Sequence, residues 1–370
     1  MPKRLAILAD YAEENWPSMD LVAEMLAREL RIDPSLGLQA EQVRPEFVRR
    51  ASALSRGRFA RSVDRLLNRM RDYPQFASKE RDRFDLFHVC DHSYSQLLHA
   101  LPAGRTGVFC HDLDTFRCIL EPNVEPRPRW FRAITRRILS GMQKAAIVFH
   151  STDSVRAQIL KHGLIDPTKL VKAPYGISPE FDAEDTSIDV PIEPGGRLVL
   201  HIGSCIPRKR IDVLLNVFAK LLQVHRDLRL VQVGGEWTSE QKAQIDSLGI
   251  ARSTMQLPRQ DRPIIAQLYR SASVVLMPSE AEGFGLPVAE SLACGAIVVA
   301  SDIPVLREVG GDAATYCPLA DVPAWTKEIS LILQGRADVP SRDARLARAS
   351  RYSWKSHASA IAGAYLNLRR

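Results

Sequence analysis

The sequence predicts an α/β protein built from two parallel-sheet domains. Apolar runs of strand length alternate with amphipathic helix patterns along all 370 residues, as expected of strands joined by helical crossovers. Those runs are continuous rather than alternating, as in Ser273-Val-Val-Leu-Met277, which suits strands covered on both faces. An acidic stretch bearing Pro and Gly, 179–196, has little apolar periodicity and splits the alternation into two series; it reads as a linker. The chain is long enough for two domains with full cores.

In the first domain, residues 1–178, the opening strand is Leu5–Ala9. Asp10, Glu13 and Glu14 follow it too soon for a signal peptide. Pro17 and Ser18 suit a helix start. Further strands are expected at Phe84–Val89, Thr106–Cys110 and Ala146–Phe149, and Val171–Ser178 reads as a last strand and turn. The second domain, 197–350, opens with Arg197–Gly203 and continues through Leu228–Val233, Ser273–Met277, Ala296–Ala300 and Ala314–Tyr316. The segment from Ser341 onward is helical in pattern, with 351–370 as a separate closing helix. No run of about 18 apolar residues is present, so no transmembrane helix is expected. The six cysteines are scattered without a Cys-x-x-Cys pair, which suggests reduced thiols in a cytoplasm rather than a disulfide or zinc framework.

The most informative stretch is Pro278-Ser-Glu-Ala-Glu-Gly-Phe-Gly-Leu-Pro-Val-Ala-Glu290. It places Glu282 and Gly283-Phe284-Gly285 in the loop after a strand, where open α/β sheets bind ligands. A helix pattern then runs from about Leu286 to Cys294, stopped by Gly295. Glycines let backbone N–H groups approach a ligand, and a helix N-terminus favours an anion. Glu290 can turn back toward the same crevice and accept hydrogen bonds from sugar hydroxyls. Upstream, Ile202-Gly-Ser-Cys-Ile-Pro-Arg-Lys-Arg210 places Gly203, Ser204, Arg208 and Lys209 between a strand and a helix, a place for fixed positive charge.

These segments, with Ala289–Gly295 and Ala300-Ser-Asp-Ile-Pro304, resemble the donor-binding motifs of the retaining glycosyltransferases of family four. That resemblance implies the GT-B fold: two Rossmann-like domains, a cleft between them, and a last helix crossing back to the first domain. It implies a nucleotide-diphospho-sugar as donor, with no cofactor and no metal. By the same resemblance Lys209 binds the diphosphate, Glu290 the ribose, and Glu282 faces the donor sugar or the phosphates. Gly283, Phe284 and Gly285 then offer amides to the sugar, and the base lies near Gln256–Arg259, with Arg259 a stacking partner. One departure is Ser204, where many relatives carry an arginine. Either Arg208 or Arg210 fills that gap, or Lys209 and amides hold the diphosphate.

On the acceptor side, His111-Asp112 after an apolar strand resembles the family's His-Asp pair. His111 could hydrogen-bond the transferring sugar or the acceptor, or be a core histidine at a strand end. Asp112-Leu-Asp114 spells a metal motif of another transferase fold, but here the nucleotide features lie in the other half, so no metal is expected. Trp16 could stack on an acceptor sugar or pack on a neighbouring loop; Ser18, His92 and, with them, His88 and Asp91 could line the same side.

The net charge of +7 is unevenly spread. From Arg44 to Arg71 there are nine arginines against Glu46 and Asp64, and from Pro126 to Lys144 five arginines and Lys144 without an acid. Phe131, Ile134, Ile138 and Met142 recur there at helical spacing, a pattern that suits an anionic membrane surface. The alternative is an apolar stripe on the core with solvated arginines. No nucleic-acid motif accompanies the charge. The reading is a metal-independent hexosyltransferase, peripheral at the inner membrane face, that uses a UDP- or GDP-sugar and a lipid-linked or glycan acceptor. A non-catalytic sugar-nucleotide-binding subunit and a sugar-nucleotide epimerase are the alternatives.

Overall fold

The computed structural model describes residues 2–55, 57–184, 188–190 and 196–368. Linker residues 185–187 and 191–195, and Arg56 of the basic segment, lie outside these. The chain forms two compact units: Met1–Gly176 with Trp354–Arg370, and Ile177–Ser353.

The first unit is built on a parallel sheet of β1 (Lys3–Leu8), β2 (Leu38–Val43), β3 (Leu86–Val89), β4 (Thr106–Cys110), β5 (Ile147–His150) and β6 (Leu170–Lys172), in the order β2-β1-β3-β4-β5-β6. The central strands are fully buried apolar runs, as two-sided coverage requires. The sequence reading missed β2. Its residues Leu-Gln-Ala-Glu-Gln-Val bury only the two ends, because an edge strand pairing β1 alone needs little apolar surface.

The helix Pro17–Ile32 begins at the expected Pro17 and buries Leu21, Val22, Met25, Leu26 and Leu30. The closing helix Trp354–Leu366 packs on this unit through Trp354, His357, Ile361 and Tyr365. The Tyr365 hydroxyl donates to the Phe87 carbonyl at 2.8 Å and meets His88 Nδ1 at 3.0 Å. His88 is therefore a core residue and lines no ligand surface, contrary to the expectation; burial pushes its pKa down to about 3. In the helix Arg129–Lys144, Ile138 and Met142 are buried, and Ile134 packs against the same core. Its apolar stripe is taken by the protein, so it is not a bilayer-facing stripe as the membrane pattern suggested.

The second unit has a sheet of β7 (Arg197–Ile202), β8 (Leu228–Val233), β9 (Thr254–Leu257), β10 (Val274–Met277), β11 (Val298–Ser301) and β12 (Thr315–Cys317), in the order β12-β11-β10-β7-β8-β9. All pairings are parallel. The chain runs outward from β7 to β9, then returns to place β10 on the other side of β7. That reversal makes β7/β10 the switch point, where loops leave in opposite directions and open a crevice. In the first unit the same logic puts the switch point between β1 and β3.

Candidate active site

In the second unit, two loops meet at the switch point. After β7 the chain crosses Gly203-Ser204-Cys205 and makes one turn at Pro207–Lys209; Arg210 then takes a left-handed conformation and caps the helix Ile211–Val224. After β10 comes 278–285, ending at Gly285 before the helix Leu286–Ala293. The Glu280 amide donates to the Arg208 carbonyl at 2.9 Å, which locks the loops together. Lys209 Nζ lies 2.5 Å from Glu282 Oε1, and Arg208 Nη1 lies 3.7 Å from Glu282 Oε2. The Lys209 and Glu282 side chains are only 10% and 7% exposed. Burial alone would raise the Glu282 pKa, but the Lys209 and Arg208 charges outweigh it and hold the carboxyl below its usual range. Two cations, Lys209 and Arg208, share this carboxylate at the strand ends.

The two arginines weighed against Ser204 lie in different places. Arg208 joins Lys209 on Glu282. Arg210 turns away, to Asp212 at 2.8 Å and Glu280 at 3.4 Å.

The loop after β7 is held from beneath by the turn after β8. Gln232, wholly buried, donates to the Gly203 carbonyl at 2.7 Å, and Gln256 donates to Gln232 at 2.8 Å. Gly234 has φ +108°, and a Cβ there would meet the Gly203 oxygen at 2.7 Å. Gly234→Ala combines that clash with a backbone strain of about 1–3 kcal/mol. The variant is expected to show a lower melting temperature, which a thermal melt checks; an unchanged melting temperature would show that the turn absorbs the methyl group.

Gly285 has φ +92°, and a Cβ there would meet Leu306 Cδ2 at 2.7 Å, so glycine is required for the chain to enter the helix. Phe284 is buried edge-on against Tyr352, ring centroids 5.4 Å apart. Glu290, inside the helix, is 8% exposed, with the Tyr269 hydroxyl 3.4 Å from Oε2. Burial pushes its pKa up to about 7. Arg259 is exposed on the loop after β9.

In the first unit, the ends of β3 and β4 bring His92, His111 and Asp112 together. His111 is buried; its Nε2 lies 2.6 Å from the Cys90 carbonyl oxygen and its Nδ1 meets the Tyr175 hydroxyl. His92 Nδ1 lies 3.4 Å from Asp91, and its Nε2 lies 3.8 Å from Asp112. Burial lowers the His111 pKa more than Asp91 and Asp112 raise it. Asp112 Oδ1 accepts the Asp114 amide at 3.0 Å, closing a local turn. Trp16 is 48% exposed just before the first helix, and Ser18 is exposed in its first turn.

Two residues at this edge carry no sequence motif. Asp10, after β1, and Asp91, after β3, flank the switch point and are each 4% exposed. Burial raises Asp10 well above the usual carboxylate range, and the charge of Asp91 adds to it. Asp91 is also buried, but His92 and His111 outweigh burial and keep it low. Its oxygens accept the Ser93 amide and hydroxyl at 2.7 and 2.8 Å. Asp91 was among the expected residues; for Asp10, a carboxylate two residues past a buried strand was the available signal.

Two parallel-sheet units with charged loops at their switch points define the GT-B class of glycosyltransferase folds. Sucrose-phosphate synthase from Thermosynechococcus elongatus superimposes with a TM-score of 0.76 over 99% of both chains, at 17% identity. HepE of Anabaena, solved with UDP and glucose, gives 0.74 over 99% of this chain and 100% of that one, at 15% identity. At such identities the likeness is one of fold. The chain matches, over residues 182–351, the family described as Glycosyl transferases group 1. It is 28% identical over 268 residues to O-antigen chain mannosyltransferase B of Escherichia coli, covering 69% of this chain and 68% of that protein. It is 29% identical over 213 residues to a D-inositol 3-phosphate glycosyltransferase of Segniliparus rotundus, covering 54% of this chain and 47%, about half, of that one.

Proposed function

We propose that this chain transfers a hexose, with retention of anomeric configuration and without a metal, from a UDP- or GDP-sugar to a lipid-linked or glycan acceptor in polysaccharide assembly. The observation that carries the reading is the Lys209–Arg208–Glu282 cluster at the switch point, with Glu290 on the adjoining helix. A diphosphate draws on these cations, and leaving-group charge grows against Lys209 in the transition state. The amides of Gly283, Phe284 and Gly285 meet the sugar, and Glu290 takes the ribose hydroxyls. Arg259 stacks on the base. The leaving phosphate oxygen takes the proton of the incoming hydroxyl on the face it departs from, so no protein nucleophile is needed. His111, His92, Asp112, Trp16 and Ser18 serve the acceptor. The arginine-rich first unit works at an anionic membrane surface, where each cation contributes about 1 kcal/mol.

A thermal-shift panel of UDP- and GDP-sugars selects the donor, and NMR of the product reads the anomeric configuration. Activity is expected to survive EDTA. An inverted product refutes retention. Loss on chelation, restored by Mg²⁺ or Mn²⁺, refutes metal independence and returns Asp112 and Asp114 to consideration.

A further inference from the structure

Four apolar side chains of the first unit point into solvent around one small hairpin. Leu54 and Phe59 are 92% and 82% exposed, and Val48 and Leu66 are 42% and 39% exposed. They border two helices, Ala51–Leu54 and Arg58–Leu67. Their base is fixed. The buried Asp64 carboxylate accepts the amides of Arg50, Ala51 and Ser52 at 3.1, 2.8 and 2.8 Å, and the Ser52 hydroxyl at 2.5 Å. It thereby caps the first helix from the second. Asn68 holds Val48 through both its amide and its carbonyl, each at 2.8 Å. Arg50 grips Asp72 with two bonds of 2.7 and 2.9 Å. The exposed side chains therefore project from a pinned scaffold.

Helical spacing of about 100° per residue sorts the helix Arg58–Leu67 into three flanks. Ala60 and Asp64 face the unit and are buried. Phe59, Val63 and Leu66 form one outer flank; Arg58, Arg61 and Arg65 form the other, all three arginines exposed. Arg65 also reaches Glu14 at 3.5 Å. Arg49 is exposed beside Val48.

We propose that this hairpin is the element that enters an anionic lipid bilayer, with Leu54 and Phe59 in the boundary between headgroups and acyl chains and the neighbouring arginines on lipid phosphates. The proposal rests on the membrane reading above and names the part of the chain that carries it out. Charge complementarity decides the occupant. Between Arg44 and Arg71 nine arginines face two acids, and one of those acids, Asp64, is used up on backbone amides. An apolar pair framed by cations matches the apolar interior and phosphate rim of a bilayer. A second copy of the chain would set like charges against each other. The helix Arg129–Lys144 has its stripe in the core and exposes Trp130 as its one large apolar side chain among Arg129, Arg136 and Arg137.

The full chain is sedimented with vesicles of phosphatidylcholine, alone or mixed with phosphatidylglycerol. The wild type is expected to pellet with the anionic vesicles. Leu54→Ser/Phe59→Ser should lose roughly tenfold or more in partitioning, as expected when several buried CH₂ groups are removed. Its melting temperature and nucleotide binding should be unchanged, because these side chains touch no core. In Phe59→Trp, emission should shift to the blue and be quenched by brominated lipid. A wild type that pellets with neither vesicle overturns both the membrane reading and this one. Pelleting of the wild type with an unaffected double variant and an unquenched Trp overturns insertion alone. Self-association of the soluble chain that the double variant abolishes, without a change in pelleting, assigns the tip to a protein interface and refutes the proposal. Sugar transfer to a soluble acceptor, measured without vesicles, tests the transferase reading separately.

Discussion

Lys209→Ala is expected to lower turnover by about 10²–10³-fold, the cost of removing a preorganised donor to developing negative charge. It should also destabilise the second unit, because the buried Glu282 then loses its nearest cation and keeps the more distant Arg208. Breaking one partner of a buried ion pair costs roughly 3–5 kcal/mol. Turnover must therefore be measured well below the variant's own melting temperature. The double variant Lys209→Met/Glu282→Gln separates the effects. It removes both charges, so stability should largely return while activity stays low. If single and double variants are equally active as wild type, the diphosphate is held elsewhere and Arg208 becomes the first residue to test.

Glu290→Gln is expected to weaken UDP and GDP binding by roughly 1.5–3 kcal/mol, the worth of hydrogen bonds to a charged group. Glu290 has its pKa raised by burial from 4.5 to about 7. The native chain then holds a proton there that the unfolded chain has released, and two opposite pH dependences follow. The contribution of protonated Glu290 to stability is fully present below 4.5 and is lost as pH rises through about 7. Nucleotide affinity moves the other way, because ribose hydroxyls donate to the carboxylate, so binding tightens as pH rises through the same range. Glutamine should flatten both curves while leaving a neutral partner for Tyr269. Titration calorimetry and thermal melts between pH 5 and 8 read both. A wild-type affinity that is flat across that range places the ribose away from Glu290.

Lys209, Glu282 and Glu290 were legible because each sits at a set distance from a buried strand or helix start. A continuous apolar run marks such a strand without any tertiary information. The glycines were legible for the same reason, since a tight strand–helix turn such as the one at Gly285 excludes a side chain. Edge strand β2 was not legible, because its half-exposed residues carry no apolar signature.

Periodicity also cannot say which apolar stripe a protein keeps for itself. Ile134, Ile138 and Met142 resemble the stripe around Phe59 and Leu66 in the sequence, yet the first packs into a core and the second stands in water. The sequence alone determined the two α/β series, the loops that carry charge and the order in which they occur. The tertiary structure decided the partnerships: Arg208 rather than Arg210 beside Lys209, His88 under the closing helix, Asp10 facing Asp91, and Leu54 and Phe59 outside. Those pairings span tens to hundreds of residues. They depend on strand order at two switch points, and local propensity does not encode strand order.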